Sequence, residues 1–157
     1  TEGHSSPIIH GNRAYVVGCV KSKQQRTLVS LDAHTGKVAW ERVVFAAPRE
    51  SKHKLNSYAS PTPLLDKGRL YCHFGSYGTA CVDTSNGKVL WRNQELKVMH
   101  ENGPGSTPVL WKDKVIFHMD GSDKQYIAGL DAKTGKLAWK TERSGEMNKN
   151  PQLKKAY

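Results

Sequence analysis

The 157 residues predict an all-β fold of repeated four-stranded antiparallel units, and three observations carry that prediction. One string occurs three times, as LDAHTGKVAW at Leu31–Trp40, VDTSNGKVLW at Val82–Trp91 and LDAKTGKLAW at Leu130–Trp139. A fainter series precedes each copy: SSPIIHGNRAYVV from Ser5, TPLLDKGRLYCHF from Thr62 and TPVLWKDKVIFHM from Thr107. No stretch shows the three- to four-residue apolar period of a long helix. From Trp to Trp the steps are 51 and 48 residues, the spacing of a repeat architecture.

Each element follows from its residue types. The proline segments, marked by Pro7, Pro63 and Pro108, supply two strands apiece. Turns at His10–Asn12, Asp66–Gly68 and Lys112–Asp113 join them. In the Trp segments, Asp32, Asp83 and Asp131 end an apolar run. A carboxylate there accepts backbone N–H groups two residues on and closes an Asx turn. Gly36, Gly87 and Gly135 follow Thr35, Asn86 and Thr134, where a hairpin loop needs a left-handed residue that glycine adopts without strain. Lys37, Lys88 and Lys136 then point to water, and the fourth strand carries Trp40, Trp91 or Trp139.

The strands themselves indicate how the units pack. Ala14–Val20 reads AYVVGCV, Leu70–Phe74 reads LYCHF and Val115–Met119 reads VIFHM. Near-continuous apolar character in short strands means burial on both faces, which requires a like sheet on either side. Four-stranded blades stacked around an axis meet that need, so the expected fold is a partial β-propeller over residues 1–157. Its blades fall at about 5–42, 60–93 and 105–141, and 142–157 forms a tail toward a further blade.

Composition narrows the function classes. Hydrophobic residues make up 37%, enough for a packed core and too many for a disordered chain. The longest apolar stretch, Ala14–Val20, falls far short of the roughly 20 residues of a transmembrane helix, so none is expected. With 24 Lys and Arg against 14 Asp and Glu the formal charge is +10. That charge is dispersed: Lys21, Lys23 and Arg26 in one loop, Arg49, Lys52 and Lys54 in another, and Lys154–Lys155 in the tail. A nucleic-acid surface gathers its charge on one face among stacking aromatics, so nucleic acid is not the expected partner.

The AxDxxTGKxxW-like strings resemble the pyrroloquinoline-quinone-like (PQQ-like) repeat of β-propellers, and the resemblance extends from Ser5 to about Arg143. There is no Trp-Asp dipeptide of a WD repeat and no Gly-Gly doublet of a kelch repeat. The resemblance implies that Trp40, Trp91 and Trp139 dock between neighbouring blades. Rings of this family have seven or eight blades, so it also implies a fragment of a larger protein, or a piece that must assemble. The partners of its open faces would then be the remaining blades of the parent protein, or a second copy through self-association. Resemblance to outer-membrane assembly lipoproteins implies a periplasmic or secreted, non-catalytic scaffold for a protein or cell-envelope partner.

The alternative is a quinoprotein oxidoreductase. In that class the resemblance implies an adjacent disulfide-bonded Cys pair, a calcium held by carboxylate and amide, and a catalytic Asp. Cys19, Cys72 and Cys81 are never adjacent, and the three repeat aspartates already have a turn role. No catalytic residue and no cofactor are therefore expected within this chain, PQQ and calcium entering only under the alternative. A hairpin turning at Ser76–Tyr77 would set Cys72 opposite Cys81, where a cross-strand disulfide would be strained. Small buried thiols are the simpler expectation.

The seven histidines are scattered, and no H-x-x-x-H, C-x-x-C or EF-hand spacing occurs, so no metal site is expected. His73 and His118 occupy matching repeat positions. The residues just before the inner strands should ring the channel mouth, where loops on a rigid frame bind ligands. His4, Asn56, Tyr58, Glu101 and Asn102 are the candidates there, with Glu2 beside them. Such a set suits a sugar, a carboxylate or a cation, and a carbohydrate-binding sensor is a third reading.

Overall fold

Each repeat forms one four-stranded antiparallel sheet in a computed structural model that describes residues 2–46, 48 and 51–143. The first sheet runs β1 (Ile8–His10), β2 (Arg13–Val20), β3 (Gln25–Asp32) and β4 (Val38–Ala46). The second holds β5 (Leu64–Asp66), β6 (Arg69–His73), β7 (Thr79–Asp83) and β8 (Val89–Asn93). The third holds β9 (Val109–Trp111), β10 (Lys114–Asp120), β11 (Gln125–Asp131) and β12 (Leu137–Glu142). In each, the strands lie side by side in chain order. This is the all-β blade arrangement that the repeats predict. Among the described residues no helix is long and apolar enough to cross a membrane. The tail from residue 144 onward, and Arg49, lie outside the described residues.

The inner strands are only three residues long, and each begins just after a proline that has no N–H to offer a ladder. The hydroxyl residue before that proline links blades instead. Ser6 N–H donates to Thr62 Oγ1 at 3.1 Å, and Thr62 N–H donates to Thr107 Oγ1 at 3.2 Å. The Asx turns form in all three Trp segments. Asp32 Oδ1 accepts from Thr35 N at 2.9 Å, Asp83 Oδ1 from Ser85 N at 2.8 Å and Asp131 Oδ1 from Thr134 N at 2.8 Å. These bonds, with the matching hydroxyls, hold all three carboxyls below the usual carboxylate range. Gly36, Gly87 and Gly135 close the loops at φ of 69°, 70° and 72°.

The core is two seams rather than one. Tyr15, Val17, Leu28 and Val44 of the first blade pack against Leu70, Cys72, Phe74, Ala80 and Val82 of the second. Tyr71 and Cys81 point the other way, to Val115, Phe117, Met119, Ala128 and Leu130 of the third. Alternation along β6 and β7 thus feeds both seams, and β6 is buried on both faces. In β2 and β10 the burial alternates instead, because each outer blade has one face without a neighbour among the described residues. Ile9, Val38, Ile127, Leu137 and Trp139 are exposed for the same reason.

Three expectations need correction. Cys72 and Cys81 do not face each other: a 3₁₀ turn at Gly75–Tyr77 sets the register at Cys72↔Ala80 and Tyr71↔Cys81. A slip of one residue sends a side chain to the opposite face, so the two thiols lie in different seams, and all three cysteines are free and buried. Arg26 is no loop cation. It sits in β3 and is fully buried, its guanidinium 4.0 Å from the Tyr77 ring centre and 4.7 Å from that of Tyr58. The first blade also runs on past Arg42, since β4 continues to Ala46 through two bulges against β3.

Candidate functional site

The two seams are built alike. A Cβ added to Gly87 would lie 2.9 Å from Trp40 Cε3, and one added to Gly135 would lie 2.5 Å from Trp91 Cδ2. Each indole therefore covers the hairpin glycine of the next blade. Hydrogen bonds run beside these contacts: Arg42 Nε to Gly87 O at 2.8 Å, Trp91 Nε1 to Ala132 O at 3.1 Å and Asn93 Nδ2 to Gly135 O at 2.9 Å. Gly36 has nothing above it, and Trp139 covers no hairpin glycine of another blade among the described residues; its ring lies over Gly129 of its own sheet, where an added Cβ would fall 2.5 Å from Cε2.

At one end of the second seam the segments leading into the second and third blades meet and line an open cavity of about 100 Å³. Asn56, His73, His100, Asn102, Ser106, His118 and Asp120 are among its walls. Of the five candidates from the sequence, the fold brings Asn56 and Asn102 together there: Asn56 Nδ2 donates to Asn102 O at 2.6 Å. Tyr58 is buried in the first seam beside Tyr77. His4 and Glu101 are exposed, and His4 N–H donates to Ala59 O. Glu2 forms an antiparallel bridge with Cys19.

The histidines and Asp120 were not among the expected site residues. The one sequence signal is at His73 and Asp120, charge-capable side chains that end the second strand of their blades; His100, in the loop between β8 and β9, carries none. His73 stacks on Phe117 across the seam, with ring centres 4.1 Å apart, and its Nδ1 lies 2.9 Å from Thr79 Oγ1. Burial, aided by the neighbouring His100 and His118, lowers its pKa to about 3. His100 Nε2 accepts from Ser76 N–H at 3.2 Å, and burial lowers its pKa as well. His118 Nδ1 lies 3.2 Å from Ser106 Oγ, and its Nε2 lies 3.8 Å from Asp120 Oδ2. Arg143 Nη1 donates to that same Oδ2 at 2.7 Å.

His73 gives the site a pH signature. An exposed histidine titrates near 6.5, so the unfolded chain binds this proton more tightly than the folded one. The stability that neutral His73 contributes is complete above pH 6.5 and is lost as pH falls toward about 3. The expected loss is up to about 1.4 kcal/mol per pH unit. Urea unfolding of wild type and His73→Phe between these limits should show this slope shrinking in the variant; identical slopes would refute the assignment.

Among the described residues no three His, Cys, Asp or Glu side chains converge as metal ligands would. The residues also do not fit the quinone set. Cys72 and Cys81 lie in different seams, and Asp32, Asp83 and Asp131 are occupied by their turns.

No family model matches the sequence, and no curated protein matches it. Solved structures do share its fold. A quinohemoprotein alcohol dehydrogenase from Pseudomonas putida HK5 superposes with a TM-score of 0.67 at 19% identity, covering 96% of this chain and 22% of that one. A europium-containing methanol dehydrogenase gives 0.66 at 17% identity, covering 92% and 25%. BamB from Moraxella catarrhalis gives 0.54 at 21% identity, covering 88% and 35%. The chain thus spans about a fifth to a third of the length of these structures. Its three sheets, stacked in order through Trp–Gly seams, have the fold of consecutive blades of a PQQ-like β-propeller.

Proposed function

We propose that the chain is part of a non-catalytic binding scaffold, an exported PQQ-like propeller that engages a protein or cell-envelope partner through its loop end. The Trp–Gly contact is its lock between blades, and the uncovered Gly36 and Trp139 faces receive further blades. One observation supports the partner reading above others: Leu55 and Met99, on the two segments that lead into the second and third blades, are 75% and 65% exposed. These segments are held in place. Met99 N–H donates to Asp123 Oδ1 at 2.7 Å, and Ser122 N–H donates to Met99 O at 2.9 Å. Large apolar side chains presented on ordered loops suit a protein surface.

A photo-crosslinking residue at Met99 of the intact protein should yield a discrete adduct, lost in Leu55→Glu at unchanged melting temperature. No adduct, or one indifferent to Leu55, would oppose the reading. The likeness to alcohol dehydrogenases supports a second reading, a quinoprotein oxidoreductase whose cofactor ligands lie mostly on other blades. Visible absorbance retained after adding the quinone with calcium would favour that enzyme, and its absence the scaffold.

A further inference from the structure

The two open faces are the two halves of one seam. In each formed seam a blade offers a Trp–Tyr pair, Trp40 with Tyr15 and Trp91 with Tyr71, and the next blade offers its hairpin glycine. The third blade makes the same offer without a receiver: Trp139 is 38% exposed, and Ile116 holds the register place of the two tyrosines. The first blade carries a receiver that nothing fills. Gly36 lies uncovered, and the same sheet bears an open groove of about 370 Å³ lined by Val16, Val29, Leu31 and Val38, with Glu2 and Glu41 at its sides.

The polar groups of the two faces also match. Bonds between blades run from Ser6 N–H to Thr62 Oγ1 and from Thr62 N–H to Thr107 Oγ1. Among the described residues that series ends in an unused donor, Thr107 N–H, and an unused acceptor, Ser6 Oγ. Arg42 and Asn93, each two residues past its Trp, donate to Gly87 O and Gly135 O. Thr141 holds that place after Trp139 and has a hydroxyl to donate. One position breaks the pattern of the repeats. Arg92 Nε donates back to Val44 O, four residues past Trp40, but its place in the first blade is held by the acid Glu41. Four residues past Trp139 stands the base Arg143, whose contact with Asp120 uses only Nη1. An acid on one open face thus answers a base at the end of the other.

We propose that the occupant of each open face is a second copy of this chain, with Trp139 of one copy covering Gly36 of the next. Thr107 N–H then meets Ser6 Oγ, Thr141 meets Gly36 O, and Arg143 meets Glu41. The faces are unlike, so copies add head to tail until a ring closes. The inference rests on the reading that the Gly36 and Trp139 faces receive further blades, and it names the source of those blades.

Sedimentation velocity of the full 157-residue chain tests it. Wild type should sediment faster as its concentration rises through the micromolar range, and as a monomer with both faces open below it. Val38→Glu and Trp139→Glu replace residues that are 61% and 38% exposed, so each variant should keep its β-sheet circular dichroism. Each alone should associate about thirtyfold more weakly or less still. An equimolar mixture of the two should form a dimer and nothing larger, because one sound Trp139 face then meets one sound Val38 face. Association retained by either variant alone, or a mixture as monomeric as its components, would overturn the head-to-tail seam. Wild type monomeric at every concentration would overturn the second copy while leaving the faces to blades of a longer protein and the scaffold reading, tested at Met99, standing.

Discussion

Trp91→Ala is expected to destabilise the chain by about 3–5 kcal/mol, while Trp139→Ala costs about 1 kcal/mol or less. The two residues hold the same place in their repeats, so chemistry and strand propensity cancel in the comparison. The neighbour differs. The Trp91 ring lies against Gly135 and beside Tyr71, ring centres 6.0 Å apart, and its Nε1–H reaches Ala132 O across the seam. Its removal opens a cavity between two blades and leaves a carbonyl without its donor. Trp139 is 38% exposed and lies over Gly129 of its own sheet, with no hairpin glycine of another blade beneath it among the described residues. Chemical denaturation of both variants decides the matter, and equal losses would mean that the indole acts within its own sheet.

The second large effect is at the glycine beneath that ring. Gly135→Ala is expected to cost about 3 kcal/mol, and Gly36→Ala about 1–2 kcal/mol. Both residues have φ near 70°, so each substitution carries the same left-handed strain. Only Gly135 lies under a tryptophan: its added methyl would fall 2.5 Å from Trp91 Cδ2, whereas Gly36 has open space. The difference between the two variants therefore isolates the seam contact from the backbone term. Thermal melting of the pair would measure it, and a difference within error would show that the blades can part slightly to admit a methyl group.

The hairpins were legible because each motif residue has one backbone reason for its place. Asp131 satisfies N–H groups, Gly135 turns left-handed and Pro108 marks where a strand begins. Those causes act within a few residues, so sequence reading reaches them. The cavity is different. His73, His100 and Asp120 come from three separate segments that meet only because one blade is laid upon another. Asn56 and Asn102 could be selected because they precede inner strands, a position the repeat defines. Tyr58 shares that position and yet is drawn into the first seam by Arg26 and Tyr77. The cysteine register escaped for a smaller reason: Phe74 N–H bonds to Gly78 O around a 3₁₀ turn, which moves the hairpin centre by half a residue. A pattern of apolar residues cannot carry that shift.

Among the described residues the middle sheet, covered on both sides, is held by two contacts while each flanking sheet has one. Stability in such an array adds up link by link, as in a short one-dimensional chain of coupled sites. Opening should then start at the flanks and reach β6 and β7 last, so that the most persistent part of the molecule is the one defined least by its own residues and most by its neighbours.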